Sequence, residues 1–202
     1  MCRLLFAFVV LSSFACGRGH LPPVQEGDII FQTSLSAQSA AIQKATNSPF
    51  SHMGIILMKD GKPFVFEAVA TVRYTPLDRW IKRGKGSHFV VKRLSNASSV
   101  LTPANLAHLR TTAKTFEGKP YDLTFEWSDR RIYCSELVWK IYQQATGVEI
   151  GQLQELREFK LDDPAVQKKM KERYGNQIPL NEPVISPVAM FNSQLLQVVA
   201  QD

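Results

Sequence analysis

The stretch SHMGIILMKDGKPFVFEAV, residues Ser51–Val69, consists of two apolar runs separated by Asp60-Gly61. Asp-Gly between two such runs is a strong signal for a β-hairpin with a tight turn. If these two residues form the loop, position 59 pairs with position 62, and the pairing of all other positions follows. The stretch therefore predicts an antiparallel hairpin of defined register.

This register places Gly54 opposite Glu67, with His52 and Glu67 as diagonal neighbours on one face and free space over Gly54 between them. The positions that share this face are 52, 54, 65, 67 and 69. A carboxylate beside an imidazole accepts a hydrogen bond from one ring nitrogen, fixes the tautomer and stabilises the imidazolium. A histidine bonded to backbone and a solvated glutamate are the alternatives, but Phe66 and Ala68 make an apolar setting for Glu67.

A second stretch, RRIYCSELVWKIYQQATG (residues Arg130–Gly147), has the apolar spacing of an amphipathic helix. We expect the helix to begin near Tyr133–Cys134 and to end at Gly147. A thiol in the first turn faces the positive end of the helix dipole, which favours the thiolate. From the helix alone, a small buried hydrophobic cysteine is the better supported interpretation. The predicted His52–Glu67 pair strengthens the case for a nucleophile at Cys134.

The segment GKPYDLTFEW contains Tyr121, just before the cysteine helix. Its hydroxyl could donate to a developing oxyanion together with backbone N–H groups at the helix start. A packed loop aromatic is an equally supported alternative. Asp122 and Asp129 are expected to cap or turn the chain. The remaining histidines are weaker candidates for a base: His20, His88 and His108.

The order of predicted elements is mixed, with strands, hairpins and helices and no regular βαβ alternation. A chain of 202 residues, 45% hydrophobic and 21% charged, can form one domain with a sizeable core. We therefore predict an α+β domain with a mainly antiparallel sheet. Ser34 or Ser36 is the expected N-cap of a first helix. Thr102 is the expected N-cap of a later one that ends before Gly118.

The N-terminal residues read as a signal peptide at 1–15, with a flexible stub at 16–26 and the domain at 27–202. Export across the inner membrane to the periplasm follows from this interpretation. Cys16, directly after the predicted cut, leaves open a lipid anchor at the membrane. Once Cys2 is removed with the signal, Cys134 is the only cysteine of the domain. This excludes a disulfide framework and a zinc site built on cysteine pairs.

The net charge is +6, and the basic residues are scattered instead of forming a nucleic-acid groove. We therefore expect no nucleic-acid partner, although attraction to an anionic surface remains open. No Gly-rich phosphate loop occurs, and His52 and Glu67 have no third metal ligand at suitable spacing. We expect no cofactor and no metal, and a monomer is the default oligomeric state.

Taken in order, three segments resemble the YiiX-type permuted papain-like proteins, relatives of the NlpC-type cell-wall peptidases and of the lecithin:retinol acyltransferase group. They are GDIIFQTS (27–34), the His52–Glu67 hairpin, and GKPYDLTFEWSDRRIYCSELVWKIY (118–142). The resemblance covers residues from about Gly27 to Phe191. It implies a small antiparallel barrel-like sheet packed against helices. Papain-like enzymes normally present the cysteine before the histidine, whereas here the order is reversed, as in the permuted branch.

The resemblance implies that Cys134 is the nucleophile, His52 the base, Glu67 its orienting residue, and Tyr121 the tyrosine that lines the site. The leading hypothesis is an exported cysteine hydrolase that cuts amide bonds in peptidoglycan-derived peptides or small amino-acid conjugates through an acyl-enzyme. Acyl transfer or thioester hydrolysis at a membrane surface is the second hypothesis. A non-catalytic module that binds a peptide or amino acid is the third. A long apolar groove beside Cys134 would favour the second, and a short acidic pocket the first.

Overall fold

The computed structural model describes residues 22–202. Its main sheet has six antiparallel strands in the order β4-β3-β2-β1-β5-β8. The strands are β1 (Ile29–Gln32), β2 (His52–Lys59), β3 (Lys62–Ala68), β4 (Val72–Pro76), β5 (Val90–Leu94) and β8 (Leu196–Gln201). A separate two-stranded sheet pairs β6 (Gln154–Glu155) with β7 (Pro183–Val184).

Seven α-helices occur in the described part of the chain: α1 (Ser39–Thr46), α2 (Leu77–Arg83), α3 (Ala97–Val100), α4 (Pro103–Phe116), α5 (Cys134–Thr146), α6 (Pro164–Tyr174) and α7 (Pro187–Phe191). Short 3₁₀ turns cover Lys85–Ser87 and Leu156–Glu158. No helix within residues 22–202 has the length and apolar character needed to cross a membrane.

The β2–β3 hairpin has the register predicted from Asp60-Gly61. Lys59 pairs with Lys62, and Ile55 pairs with Phe66. Asp60 and Gly61 both have positive φ, 50° and 71°, as a tight hairpin turn requires. At Gly54 a Cβ atom would come within 2.4 Å of Val65 Cγ1 and 3.3 Å of Glu67 Cβ. Only glycine therefore fits where the hairpin passes beneath Glu67.

The two faces of the sheet are covered by different helices. On one face β1, β2 and β3 pack against α4 and α5, with Phe31, Ile55 and Phe66 completely buried. On the other face a smaller cluster joins Ile30, Val65 and Trp80 of α2. Because side chains alternate along a strand, a single hairpin supplies both clusters.

The sheet is open, with β4 and β8 at its edges, so it is not a closed barrel. The α+β class with an antiparallel sheet against helices is confirmed. A β-bulge between Val91 and Lys92 shifts the register of β5 against β8. Local bending of this kind curves a sheet without closing it.

The predicted boundaries of α4 and α5 are confirmed. Thr102 accepts a hydrogen bond from Asn105 N at the start of α4, and Gly147 has a φ of 74° directly after α5. The prediction for α1 is wrong, because this helix begins at Ser39 with Gln38 at the N-cap position. The Gln38 side chain makes no capping hydrogen bond and is therefore free to bond elsewhere.

Of the predicted N-terminal segments, the signal peptide at 1–15 and most of the stub lie outside the described residues. The end of the stub lies against the domain. Glu26 accepts a hydrogen bond from Met58 N at 3.2 Å and pairs with Arg110 at 2.6 Å.

Candidate active site

His52 and Glu67 are in direct contact at one end of the sheet. His52 is the first residue of β2, and its Nε2 lies 2.6 Å from Glu67 Oε2. Glu67 is completely buried and His52 is only 7% exposed. The diagonal contact predicted from the hairpin register is therefore present. It leaves Nδ1 of the ring free to face another group.

Glu67 accepts hydrogen bonds from three further side chains. Thr75 Oγ1 donates to Oε1 at 2.6 Å, and Trp80 Nε1 and Arg83 Nη2 donate to Oε2 at 2.9 and 2.5 Å. The Trp80 ring also stacks on the His52 ring, with centroids 5.9 Å apart. Both carboxylate oxygens are thus held in place, which fixes the direction in which His52 points.

The electrostatics of this pair favour an imidazolium beside a carboxylate. Burial raises the pKa of Glu67, but hydrogen bonds from His52 and Arg83 and their charges outweigh it and lower the pKa to about 2. Burial lowers the pKa of His52, but hydrogen bonds to Cys134 and Glu67 outweigh it and raise the pKa to about 9. His52 therefore holds a proton readily at neutral pH.

Cys134 is the first residue of α5, as the sequence predicts. Cys134 is 3% exposed, and its interaction with His52 raises the pKa of that ring, so the two side chains are neighbours. Since Nε2 is bonded to Glu67, Nδ1 is the ring nitrogen left for the sulfur. A nucleophile, a base and a residue that orients the base are thus brought together from positions 52, 67 and 134.

The first turn of α5 is anchored by a buried ion pair. Lys140 Nζ lies 2.8 Å from Glu136 Oε1 and 2.7 Å from Asp129 Oδ1. Burial raises the pKa of Glu136 to about 7, against the lowering effect of Lys140. Because Asp129 precedes the helix, Lys140 ties the entering loop to it.

Tyr121 lies in the loop before α5, and its backbone is bonded to two other segments of the chain. Its N donates to Ala70 O at 3.1 Å, just after β3, and it forms an isolated bridge with Ile132. Burial raises the pKa of the Tyr121 hydroxyl well above its usual value, and negative charge on Cys134 raises it further. The neutral hydroxyl and Cys134 line the same pocket. Asp122 organises the following turn by accepting bonds from Thr124 N and Glu126 N.

A small pocket with a cavity volume of about 80 Å³ opens beside Cys134. Its walls come from α1, α6, the loop at 121–125 and the segments 156–161 and 184–187. Most lining side chains are apolar: Ala41, Ile42, Ala45, Phe125, Leu156, Phe159, Leu161, Val166, Met170, Val184 and Ile185. The charged lining residues are Lys169 and Arg173, so the pocket contains no acidic group among the described residues. Cys134 is buried but faces this space.

The other candidate histidines lie elsewhere. His88 Nδ1 bonds Asp202 Oδ2 at 2.9 Å on the surface, and His108 is exposed on α4. His20 lies outside the described residues. Within residues 22–202, no group of three His, Cys, Asp or Glu side chains is close enough to hold a metal ion.

Several polar residues of the site are not found by reasoning from the sequence: Gln38, Thr75, Trp80, Arg83 and Arg173. Trp80 and Arg83 are three positions apart in α2 and therefore share a helix face, a spacing visible in the sequence. Which face of α2 meets Glu67 depends on how the helix packs on the sheet. Gln38 and Arg173 are separated by 135 positions, and no local pattern links them.

Comparisons with known proteins agree with this geometry. A family model described as "Permuted papain-like amidase enzyme, YaeF/YiiX, C92 family" matches residues 23–200. The chain is 52% identical over 178 residues to "Uncharacterized protein YiiX" of Escherichia coli (strain K12), a match that covers 88% of this chain and 87% of the relative. It also resembles the crystal structure of metalloprotein yiiX from Escherichia coli O157:H7. The TM-score is 0.84 at 52% identity, over 88% of this chain and 97% of that one.

Proposed function

Because the chain belongs to the permuted papain-like amidase family of YaeF and YiiX, we propose that it is a cysteine hydrolase with Cys134 as nucleophile and His52 as general base. Glu67 orients His52 and stabilises its charged form. The observation that carries this proposal is the position of the His52 ring, which contacts Glu67 through Nε2 at 2.6 Å and lies near enough to Cys134 for the thiol to raise its pKa.

The reaction follows from these contacts. His52 holds the proton taken from the Cys134 thiol as an imidazolium, and the sulfur attacks the substrate carbonyl carbon. The carbonyl oxygen becomes an oxyanion beside the backbone N–H groups at the start of α5 and the Tyr121 hydroxyl. When the tetrahedral intermediate collapses, the C–N bond breaks and His52 returns its proton to the leaving amine. Water, deprotonated by His52, then attacks the thioester, releases the acid and restores the thiol.

The pocket supports a second candidate for the bond that is cut. Its mostly apolar walls fit an apolar acyl group better than an acidic cell-wall peptide. An acyl group seated there presents its carbonyl to Cys134. This favours hydrolysis or transfer of an apolar acyl group, carried as an ester, thioester or amide. Amide hydrolysis of peptidoglycan-derived peptides remains the competing substrate class.

The test is turnover of two matched substrate series by the purified chain. One series consists of N-acyl amino acids and p-nitrophenyl esters with acyl chains of increasing length. The other consists of peptidoglycan-derived peptides. We expect wild-type turnover that rises with chain length in the first series, and none by Cys134→Ala. Turnover that persists in Cys134→Ala would refute the proposal, and cleavage of the peptides alone would refute the acyl preference.

Reactivity of the thiol provides an independent check. A thiol activated by a base is alkylated by iodoacetamide faster than N-acetylcysteine at the same pH. Peptide mass mapping assigns the modification to Cys134. A rate equal to that of N-acetylcysteine would mean that the contact with His52 does not activate the sulfur.

We also propose that the chain is exported to the periplasm. The support is the sequence of residues 1–15, with its basic start and apolar run. Cell fractionation followed by mass measurement of the mature N-terminus tests this. Cleavage before Cys16 with an added lipid mass, in the membrane fraction, would place the enzyme at a membrane surface. An intact Met1 in the cytoplasmic fraction would refute export.

A further inference from the structure

A chain of hydrogen bonds leads from α6 through α1 to the Tyr121 hydroxyl. Arg173 Nη2 donates to Gln38 Oε1 at 2.7 Å. Gln38 Nε2 in turn donates to Tyr121 Oη at 2.9 Å. All three side chains line the pocket beside Cys134.

Arg173 fixes the donor-to-acceptor direction of this series of hydrogen bonds. A guanidinium has only donors, so the Gln38 atom that faces Arg173 must be the carbonyl oxygen. The amide nitrogen of Gln38 then faces Tyr121, and it too has only hydrogens to offer. Flipping the amide would set two donors against each other at Arg173. Arg173 therefore determines which end of the Gln38 amide reaches the tyrosine.

This arrangement determines where the hydroxyl hydrogen of Tyr121 points. Because the Tyr121 oxygen accepts from Gln38, its own hydrogen points elsewhere. Within residues 22–202 Tyr121 Oη has no other hydrogen-bond partner. Tyr121 is half-buried, and it lines the same pocket as Cys134. Its one free hydrogen is available to an acceptor at the mouth of the pocket.

We propose that Gln38 and Arg173 are positioning residues that hold the Tyr121 hydroxyl as a hydrogen-bond donor to the substrate oxyanion. The inference rests on the proposed function, since it needs a carbonyl that Cys134 attacks. Gln38 is available for this task because, at the N-cap position of α1, it makes no capping bond. Arg173 is kept beside Gln38 by its contact with the Phe125 ring, 4.9 Å from the ring centroid.

The decisive variant is Gln38→Glu. Its side chain has the same shape, but it accepts a hydrogen bond from Tyr121 instead of donating one. A carboxylate accepts from both Arg173 and Tyr121, so the tyrosine hydrogen turns to residue 38 and is lost to the oxyanion. We expect kcat for p-nitrophenyl ester hydrolysis to fall by about a hundredfold to a thousandfold with a smaller change in KM, as for loss of an oxyanion donor. Tyr121→Phe should show a similar loss, and the double variant little more than either alone.

Two controls separate this role from a structural one. Gln167→Glu, the same change at an exposed position of α6, should leave kcat unchanged. Arg173→Lys still donates to Gln38 and should retain most activity, whereas Arg173→Met should not. Alkylation of Cys134 by iodoacetamide forms no oxyanion, so Gln38→Glu should slow it by a much smaller factor than it slows ester hydrolysis.

The possible failures are distinguishable. If the wild-type chain shows no ester turnover that depends on Cys134, the proposed function fails and this inference fails with it. If the wild type is active and Gln38→Glu has an equal kcat, this inference alone is overturned. Equal losses in ester hydrolysis and in alkylation would also overturn it, because the substitution would then act on the thiol.

Discussion

The β2–β3 hairpin and the pocket between α1 and α6 meet at Cys134 but are built differently. At the hairpin end, Glu67 is completely buried, and both its oxygens accept hydrogen bonds. The pocket has mostly apolar walls and a cavity volume of about 80 Å³. The hairpin fixes the His52 ring and its proton beside Glu67, whereas the pocket offers space for a ligand. We therefore expect substitutions at the hairpin to change the chemistry and substitutions in the pocket to change the substrate.

The largest effect should come from His52→Gln. Removing a general base typically costs about 10²–10⁴-fold in rate, and here the same ring also returns the proton to the leaving group. We expect kcat/KM to fall by this factor for every substrate that the wild type accepts. His108→Gln, on the exposed face of α4, is the matched control and should be neutral. A His52→Gln enzyme with more than a tenth of wild-type activity would break the assignment of chemistry to the hairpin.

Glu67→Gln should have the next largest effect and should change the pH profile. In the wild type the pKa of His52 is about 9, so activity that needs the imidazolium declines as the pH rises through about 9. Without the Glu67 charge the His52 pKa falls, and the alkaline limb of kcat/KM should move to lower pH. We expect about a tenfold loss of rate at neutral pH as well.

Glu126→Gln is the control for that charge change, since Glu126 pairs with Arg131 at 3.1 Å on the surface. Its pH profile should match the wild type. An unchanged alkaline limb in Glu67→Gln would show that Glu67 does not set the protonation of His52.

A smaller and more selective effect is expected from Ala45→Phe, which adds a ring to the α1 wall of the pocket. The ring should occupy space that a long acyl chain needs, so long chains are excluded and short chains still bind. Each methylene that loses its place in the pocket costs about 1–3 kcal/mol of discrimination. The ratio of kcat/KM for long over short p-nitrophenyl esters should drop by about tenfold or more. Ala107→Phe, on exposed α4, is the control. Equal losses for all chain lengths would contradict an acyl role for the pocket.

The smallest effect should come from Arg83→Met, measured as thermal stability against pH. The folded pKa of Glu67, about 2, lies below its ordinary value of 4.5, so its contacts stabilise the fold above pH 4.5 and this contribution is lost as the pH falls through about 2. Because the Arg83 side chain is 38% exposed, we expect a loss of about 1 kcal/mol or less at neutral pH.

The difference in Tm between the wild type and Arg83→Met should therefore shrink as the pH is lowered from 6 towards about 2. Arg79→Met, exposed on the same helix, should show no such pH-dependent difference. A gap that widens in acid would mean that Arg83 stabilises the fold through some other contact.

Contacts between residues close together in the sequence could be predicted, whereas contacts between distant residues could not. The His52–Glu67 contact follows from Asp60-Gly61, because a two-residue turn fixes the register and side chains alternate between faces. The start of α5 at Cys134 follows from apolar spacing and from Gly147. The prediction that Ser34 or Ser36 caps α1 was wrong. Ser34 Oγ instead accepts a hydrogen bond from Ser36 N within the turn before the helix. Serine is common both in turns and at N-caps, and the sequence does not distinguish the two roles.

The residues around the hairpin and pocket were not predictable in this way. Trp80 and Arg83 reach Glu67 only because α2 packs on that face of the sheet. Closure of the sheet could not be decided either, because it depends on whether β4 and β8 meet, and they remain separate edges.

The sequence by itself determined the α+β class, the hairpin register and the place of the thiol at a helix start, since each depends on contacts between residues close in the chain. Only the tertiary structure decided that His52 meets Cys134, that Arg173 orders Gln38 and Tyr121, and that an apolar pocket opens beside the sulfur. These depend on how helices far apart in sequence pack together. Many combinations of side chains satisfy such packing, so it leaves no periodic signature in the sequence.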